Sequence, residues 1–445
     1  MVIPKKCRNC GTGTRTARWR RQNPQGNNPL PEYTTLQKYL HEAAPYIIIV
    51  TAIFIVYALV YGNTNFRITH GNAFNSYSIQ AYRWLQGHLD LAYNYRHLEI
   101  ALFDNRYWIS FPPLPSVIML PFVAILGSPN TPDHFIALAI FLMVAIYAYK
   151  IAYHQLGNRV YATFFALFLI LGTNYLQIAM RGIVWHMAQN LGFMFTLMAI
   201  YYSITKNKRH SILALFLLCC AMGCRPLQGI YIPLIICLLY QRHGGAFFPF
   251  VKKLFLYSIP AIILGAGLLA FNYVRFGSIF EFGHNFLPAS MAAPYGQFGV
   301  GYMANHLRVM FLRFPTQLPL ITHYTLFQPI AIWIISPLVI SYVVVLVKSK
   351  VTRWEKDDAL RDIFLLLMPV LIVLHLLLLS AHKDVGGPQF GYRYTIDVLP
   401  VMFLGLVTLL GKAKCIDGIV SRNSGLFAFG FFINIIGLID AIGVR

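Results

Sequence analysis

From Tyr46 to Gly443 the chain is a succession of apolar runs, most of them long enough to cross a hydrocarbon core of about 30 Å as a helix. Backbone inside such a core must satisfy its own hydrogen bonds, and a helix does this within one segment. Charged residues make up only 11% of the chain, against about 25% in a soluble domain. The expected fold class is therefore an all-α polytopic membrane protein, with residues 44–445 as one transmembrane domain.

Residues 1–43 stand apart. They are rich in Lys, Arg, Asn, Gln and Pro and lack the apolar core of a cleavable signal peptide, which reads as a disordered basic tail. Cys7 and Cys10 form half of a zinc-ligand pattern, but the tail offers no second pair for a tetrahedral site. The remaining cysteines, Cys219, Cys220, Cys224, Cys237 and Cys415, lie in or beside apolar segments without a framework spacing and read as reduced packing residues.

Spanning helices are expected near 44–61, 133–153, 159–176, 186–205, 211–223, 226–241, 254–271, 326–347, 361–380, 396–411 and 426–443, eleven in all. The apolar piece 113–127 is read as juxtamembrane or re-entrant, because a further span would place Lys206, Lys208 and Arg209 outside. A net charge of +21 invites nucleic acid, yet the cations fall in short clusters between apolar runs, so no nucleic acid partner is expected. With the tail and the loop 348–361 in the cytoplasm, 13 of the 14 lysines lie inside and only Lys383 outside, as the positive-inside rule requires. Arginine ignores the rule, with 11 on each side. Guanidinium is a planar, permanently charged fork that grips phosphate bidentately, so its retention outside points to a task.

The long outer segments are 62–132, 272–325 and 381–395, with a short fourth at 177–185. Long loops confined to one face mark that face as functional. The first has an amphipathic stretch, Asn75 to Leu89, followed by the carboxylates Asp90, Glu99 and Asp104 and the rigid run Phe111-Pro112-Pro113-Leu114-Pro115. Residues 177–185 bring Arg181 to the interface, and His186 and Gln189 share a helix face just beyond. Arg225-Pro226 forms the tip of a hairpin between two short spans, Asn272 to Gly277 carries Arg275, and a glycine-rich stretch holds Gln389, Arg393 and Tyr394.

In this order of parts the chain resembles the GT-C superfamily of integral membrane glycosyltransferases, in particular the branch of protein O-mannosyltransferases and lipid A aminoarabinose transferase. The likeness covers residues 44–411 and rests on the Pro-Pro-Leu element at 112–114, Arg181, Arg225-Pro226, Asn272-Tyr273-Val274-Arg275-Phe276-Gly277 and Phe390-Gly391-Tyr392-Arg393-Tyr394. It implies a GT-C-like bundle whose long first outer loop contains juxtamembrane helices. It also implies a multi-pass cell-membrane enzyme with a non-cytoplasmic active site, which transfers a sugar from a polyprenyl phosphate to a hydroxyl on a glycan, lipid or protein, with inversion. Many relatives carry an Asp-Glu or Asp-Asp pair soon after the first span, where this chain reads His70-Gly71-Asn72-Ala73-Phe74-Asn75. The general base is then sought further on, at Glu99 first and Asp90 second. Glu99 precedes the apolar Ile100-Ala101-Leu102, so its carboxylate is expected to be partly desolvated and more basic. Arg393 is assigned the donor phosphate with Arg275 or Arg181 assisting, and Tyr394, His186, Arg225 and Gln389 complete the donor site. The outer face has no Asp-x-Asp pair, so neither a metal nor a cofactor beyond the lipid-linked donor is expected.

The competing reading is a transporter or flippase of lipids or lipid-linked glycans. Charges inside the spans mark such a path, and here His375 is the main ionisable exception in nearly charge-free interiors.

Overall fold

The computed structural model describes residues 35–62, 69, 71–315, 329–351, 363–384, 386, 390–412 and 418–443. Contacts divide the chain into Met1–Ala44 and Pro45–Arg445. Residues 35–43, which composition assigns to the tail, belong to the helix α1, Thr35–Tyr61. Cys7, Cys10 and Cys415 lie outside the described residues.

The first outer segment holds α2 (Ser76–Leu85), strands β1 (Ile100–Phe103) and β2 (Arg106–Ile109), and α3 (Leu114–Leu126). The antiparallel hairpin is a departure from the all-helical expectation. Its two turn residues, Asp104 and Asn105, both have positive φ, 50° and 54°, the conformation that short Asp/Asn side chains tolerate in tight hairpins. Asp104 is thus a turn former. With 13 residues, α3 is about 20 Å long at 1.5 Å per residue and too short to cross the core.

The bundle continues with α4 (Asp133–Leu156), α5 (Arg159–Leu171), α6 (Tyr175–Ala179), α7 (Val184–Ile204), α8 (Lys208–Cys224), α9 (Ile232–His243) and α10 (Phe247–Phe276). After the short helices α11 (Pro288–Met291) and α12 (Val300–Leu312) come α13 (Ile332–Ile335), α14 (Leu338–Val351), α15 (Met368–Ser380), α16 (Leu399–Lys412) and α17 (Ile419–Gly443). Among the described residues six helices are long and apolar enough to span a membrane: 39–61, 133–156, 247–276, 363–380, 393–412 and 419–439. The protein is therefore a multi-pass membrane protein.

Helices occupy the other expected places, but several are short or broken. The expected span 159–176 ends at Leu171, before Gly172, because α17 presses against it: the Gly430 Cα lies so close that a Cβ there would sit 2.2 Å from the Gly172 carbonyl oxygen. Between α13 and α14, Pro337 cannot donate an amide hydrogen and the helix restarts after it. Cys224 ends α8, and α9 returns antiparallel to it. Arg242 at the end of α9 reaches the start of α8 by a hydrogen bond to Ser211 Oγ, and donates to the Tyr202 and Thr205 carbonyls at 2.7 and 2.6 Å. Arg225 thus occupies the opposite tip of a hairpin. α4, α7 and α16 form the buried centre, whereas α10 packs one side on α8 and leaves the other, with Phe255, Leu256 and Ile263, exposed.

Asp133 fastens the first outer segment to this bundle. Its buried carboxylate accepts from Asn72 Nδ2 (2.7 Å), Ser78 Oγ (3.3 Å) and the Thr131 hydroxyl, and Asn72 Nδ2 also donates to the Gly182 carbonyl at 3.2 Å. At Gly182 an added Cβ would lie 2.3 Å from the carbonyl carbon and oxygen of Asp133, backbone atoms that cannot turn aside. Gly182→Ala is therefore expected to destabilise the protein by about 1–3 kcal/mol, read as a lower thermal midpoint of the purified protein. An unchanged midpoint would show that the strand of chain at 181–183 can move.

Candidate functional site

The outer segments, the α8–α9 hairpin tip and the turn before α16 enclose a single large cavity of about 1450 Å³. Of the residues singled out from sequence, Glu99, Arg181, His186, Arg225, Arg393 and Tyr394 all line it. They come from four separate stretches of chain.

Glu99 immediately precedes β1, and its carbonyl accepts from Ser110 Oγ (3.1 Å) across the hairpin. Its carboxylate faces the cavity and accepts a hydrogen bond from Trp185 Nε1, Oε1 lying 3.1 Å away. The carboxylate is open to water through the cavity, yet protein surrounds it. That enclosure raises its pKa above the ordinary carboxylate value, although the Trp185 hydrogen bond and the positive charge of Arg393 act the other way.

Arg393 begins a 3-10 turn, Arg393–Val398, that leads into α16. It is only 5% exposed. Nη2 donates to the Gly386 carbonyl at 3.0 Å, the guanidinium lies 5.2 Å from the Tyr394 ring centroid, and the buried Nε has no hydrogen-bond partner among the described residues. A buried donor left unmatched carries the full cost of desolvation. Arg275 Nε is likewise without a partner among the described residues; what sets Arg393 apart is that it lines the cavity.

The turn carrying Arg393 is held from behind. Gln189 Nε2 donates to the Arg393 carbonyl (3.0 Å) and to Asp397 Oδ1 (2.8 Å). Arg225 Nε and Nη2 both reach Asp397 Oδ2, at 3.0 and 2.7 Å, and the Arg225 guanidinium also stands 4.9 Å from the Tyr394 centroid. The charge of Arg225 is therefore largely balanced by a buried aspartate. Its role is to lock the hairpin tip to the Arg393 turn and to orient Tyr394, with part of its edge facing the cavity.

Three sequence assignments fall elsewhere. Arg275 does not line the cavity: it is buried against Phe271 and Phe276, with Nη1 donating to the Ile109 carbonyl and Nη2 to Asn272 Oδ1, both at 2.9 Å. It clamps the end of the hairpin that carries Glu99, a contact that a linear motif cannot show. Asp90 also lies off the cavity lining, half-buried after α2, where its carbonyl accepts from Arg83 Nε at 3.1 Å. Gln389 lies outside the described residues. Glu281, another acid of the outer segments, is occupied in its own turn by the Gly283 amide and Asn285 Nδ2, at 2.6 and 2.7 Å.

Arg275→Ala would leave the Ile109 carbonyl and Asn272 Oδ1 without their donor, at a cost of about 1–3 kcal/mol. The expected outcome is a lower thermal midpoint of the purified protein; an unchanged midpoint would show that the hairpin does not need this clamp.

The cavity also contains groups that sequence reasoning left out of the site. His284 packs edge-on to Phe111 at 5.5 Å, and burial, with the nearby His382 and Lys383, pushes its pKa down to about 4. Burial likewise lowers His382. Lys383 pairs with Asp384 at 3.3 Å. As the one lysine on the outer face, Lys383 was the available signal for this wall.

Neither a family model nor a curated protein sequence matches this chain. Solved structures do. ArnT from Cupriavidus metallidurans in the apo state superposes with a TM-score of 0.51 at 12% identity, over 88% of this chain and 63% of that one. The same protein bound to undecaprenyl phosphate gives 0.49 at 13% identity, over 88% and 63%. The Archaeoglobus fulgidus oligosaccharyltransferase in the apo form gives 0.48 at 12%, over 92% of this chain and 57% of that one. The chain thus shares its fold with apo ArnT, of whose length it spans 63%.

Proposed function

We propose that this protein is an integral membrane glycosyltransferase that moves a sugar from a polyprenyl-phosphate donor to an acceptor hydroxyl on the non-cytoplasmic face. The observation that carries this reading is the meeting, in one cavity, of an enclosed carboxylate of raised pKa with a buried guanidinium that has an unmatched donor. The acceptor oxygen attacks the anomeric carbon from the face opposite the phosphate, the bond from that carbon to the phosphate oxygen breaks, and the configuration inverts. Glu99 accepts the hydroxyl proton as general base. Arg393, assisted by Arg181, neutralises the charge that gathers on the departing lipid phosphate, while His284, held neutral, adds a polar wall without repelling cations.

The test uses the whole protein in nanodiscs with a polyprenyl-phosphate sugar. Saturable binding and release of free polyprenyl phosphate on transfer are the expected results; a protein that binds no such lipid would sink the proposal. Sidedness is tested by single cysteines in cells. A cysteine at Asn94 should react with an impermeant maleimide, and one at Lys206 should react only after permeabilisation. The reverse pattern would place the cavity in the cytoplasm.

A further inference from the structure

The buried face of α2 is polar as well as apolar. Ser78 Oγ bonds Thr131 and Asp133, and Gln80 Oε1 accepts from Ser116 Oγ at 2.7 Å. Tyr77, one residue before Ser78, is only 3% exposed, packs at 5.9 Å against Phe111 and lines the cavity. Its hydroxyl has no hydrogen-bond partner among the described residues. The hydroxyls of Tyr57 and Tyr342 share that state, but neither residue lines the cavity. Tyr77 is also close enough to feel the charges of Arg225, Glu99 and Arg393, and Arg225 acts on it more strongly than Glu99 does.

A buried water is the first alternative to a ligand. On one side Tyr77 borders a second void of only about 10 Å³, ringed by Phe74, Met119, Val184 and Met187 together with Asn75, Ser78 and Asp133. That is barely the space of one water, which also needs roughly two to four polar partners. Ser78 and Asp133 are already bonded to each other and to Thr131, and Asn75 Nδ2 donates to the Pro129 carbonyl at 2.9 Å. A water there would find few free partners. On the other side lies the large cavity with Arg225 and Arg393. Burial above all holds the phenol pKa well above its ordinary value, so Tyr77 keeps its proton and serves as a donor. Neither guanidinium can take that hydrogen bond, because a guanidinium has no acceptor. What fits both arginines and the phenol is an oxygen that carries negative charge.

We infer that Tyr77 is a further donor-binding residue, whose hydroxyl donates to a phosphate oxygen of the polyprenyl phosphate beside Arg393. A phosphate oxygen suits the place better than a sugar hydroxyl, because the phenol stands nearer in effect to Arg225 than to Glu99 and because hydrogen bonds to an ionised acceptor are the stronger kind. The bond tightens as charge gathers on the departing phosphate, and the phenol keeps its proton throughout. This rests on the transferase reading above and adds a neutral donor to its phosphate site.

The experiment measures binding of polyprenyl phosphate, and of polyprenol as the same chain without phosphate, to the full protein in nanodiscs, together with the thermal midpoint in the absence of either. Tyr77→Phe should weaken polyprenyl phosphate by about 10- to 100-fold, the loss of one hydrogen bond to a charged group, and should leave polyprenol binding unchanged. Because the hydroxyl makes no bond within the fold, the ligand-free midpoint should stay the same or rise. A lowered ligand-free midpoint would show that the hydroxyl is bonded inside the fold, as through a buried water, and would overturn the assignment. Equal affinity for polyprenyl phosphate would overturn it too, as would an equal loss of polyprenol. The two proposals fail separately. Lipid-phosphate binding that Tyr77→Phe leaves intact sinks the Tyr77 assignment alone, whereas Tyr77-dependent binding without any sugar transfer sinks the transferase reading alone. An unmodified protein that binds no polyprenyl phosphate would sink both.

Discussion

On the proposed function, Glu99→Gln is expected to lower sugar transfer by about 10²- to 10⁴-fold, the usual cost of losing a general base, and to leave polyprenyl-phosphate binding close to that of the unmodified protein. The substitution keeps the shape of the side chain and a hydrogen-bond acceptor for Trp185 Nε1, which donates to Glu99 at 3.1 Å. It removes only the ability to take a proton. Burial lifts the Glu99 pKa above the ordinary carboxylate value, so the acid limb of the rate profile should lie higher than for a solvated glutamate. The sign follows from the base being active when ionised: activity rises with pH through the Glu99 pKa and is lost below it. Trp185 favours the ionised form, so Trp185→Phe should move that limb further up in pH. A pH–rate series on the three proteins, with donor binding measured alongside, checks both statements. Normal turnover in Glu99→Gln would remove Glu99 from the chemistry.

Arg393→Lys is expected to lose about 10²- to 10³-fold in turnover, the loss typical of a single preorganised donor at a site of developing negative charge. Charge is conserved, but the planar fork is not. One arm of that fork is held by the Gly386 carbonyl at 3.0 Å, and the guanidinium lies beside the Tyr394 ring in the cavity wall. A lysine ammonium has no rigid second donor to place there. Because Gln189 grips the Arg393 backbone carbonyl, the turn itself should persist in the variant, and the defect should appear in catalysis and phosphate affinity ahead of stability. Transfer rates and thermal midpoints of Arg393→Lys and Gln189→Ala separate the two effects. Gln189→Ala should lower both, since it also releases Asp397 Oδ1; an active Arg393→Lys would take Arg393 out of the donor site.

The sequence by itself determined the solvent of the fold, the helical places and much of the cavity lining. Apolar run length is a local property, and the lone outer lysine among many outer arginines is a count along the chain. Run length alone predicts unbroken spans at 159–176 and 326–347, whereas α5 ends at Leu171 and a break at Pro337 separates α13 from α14. Gly430 of α17 comes against Gly172, and such a close approach between helices far apart in sequence has no local trace.

Tertiary structure decided which candidates line the cavity and which partner each one meets. Arg225, Arg275 and Arg393 look alike in sequence, each an arginine beside a glycine, proline or aromatic residue. Folding gives Arg225 a buried aspartate, Arg275 two rings and a hairpin carbonyl away from the cavity, and Arg393 the Gly386 carbonyl and a place in the cavity wall. Likewise Glu281 is consumed by its own turn and Glu99 by none, although both are outer-segment carboxylates. Guanidinium and carboxylate chemistry is set by the partners within a few ångströms, and those partners come from far along the chain, 172 residues away for Asp397 beside Arg225 and 208 for Gln189 beside Asp397. The sequence shows that such groups recur in the segments between apolar runs; only the packing of the bundle chooses their partners.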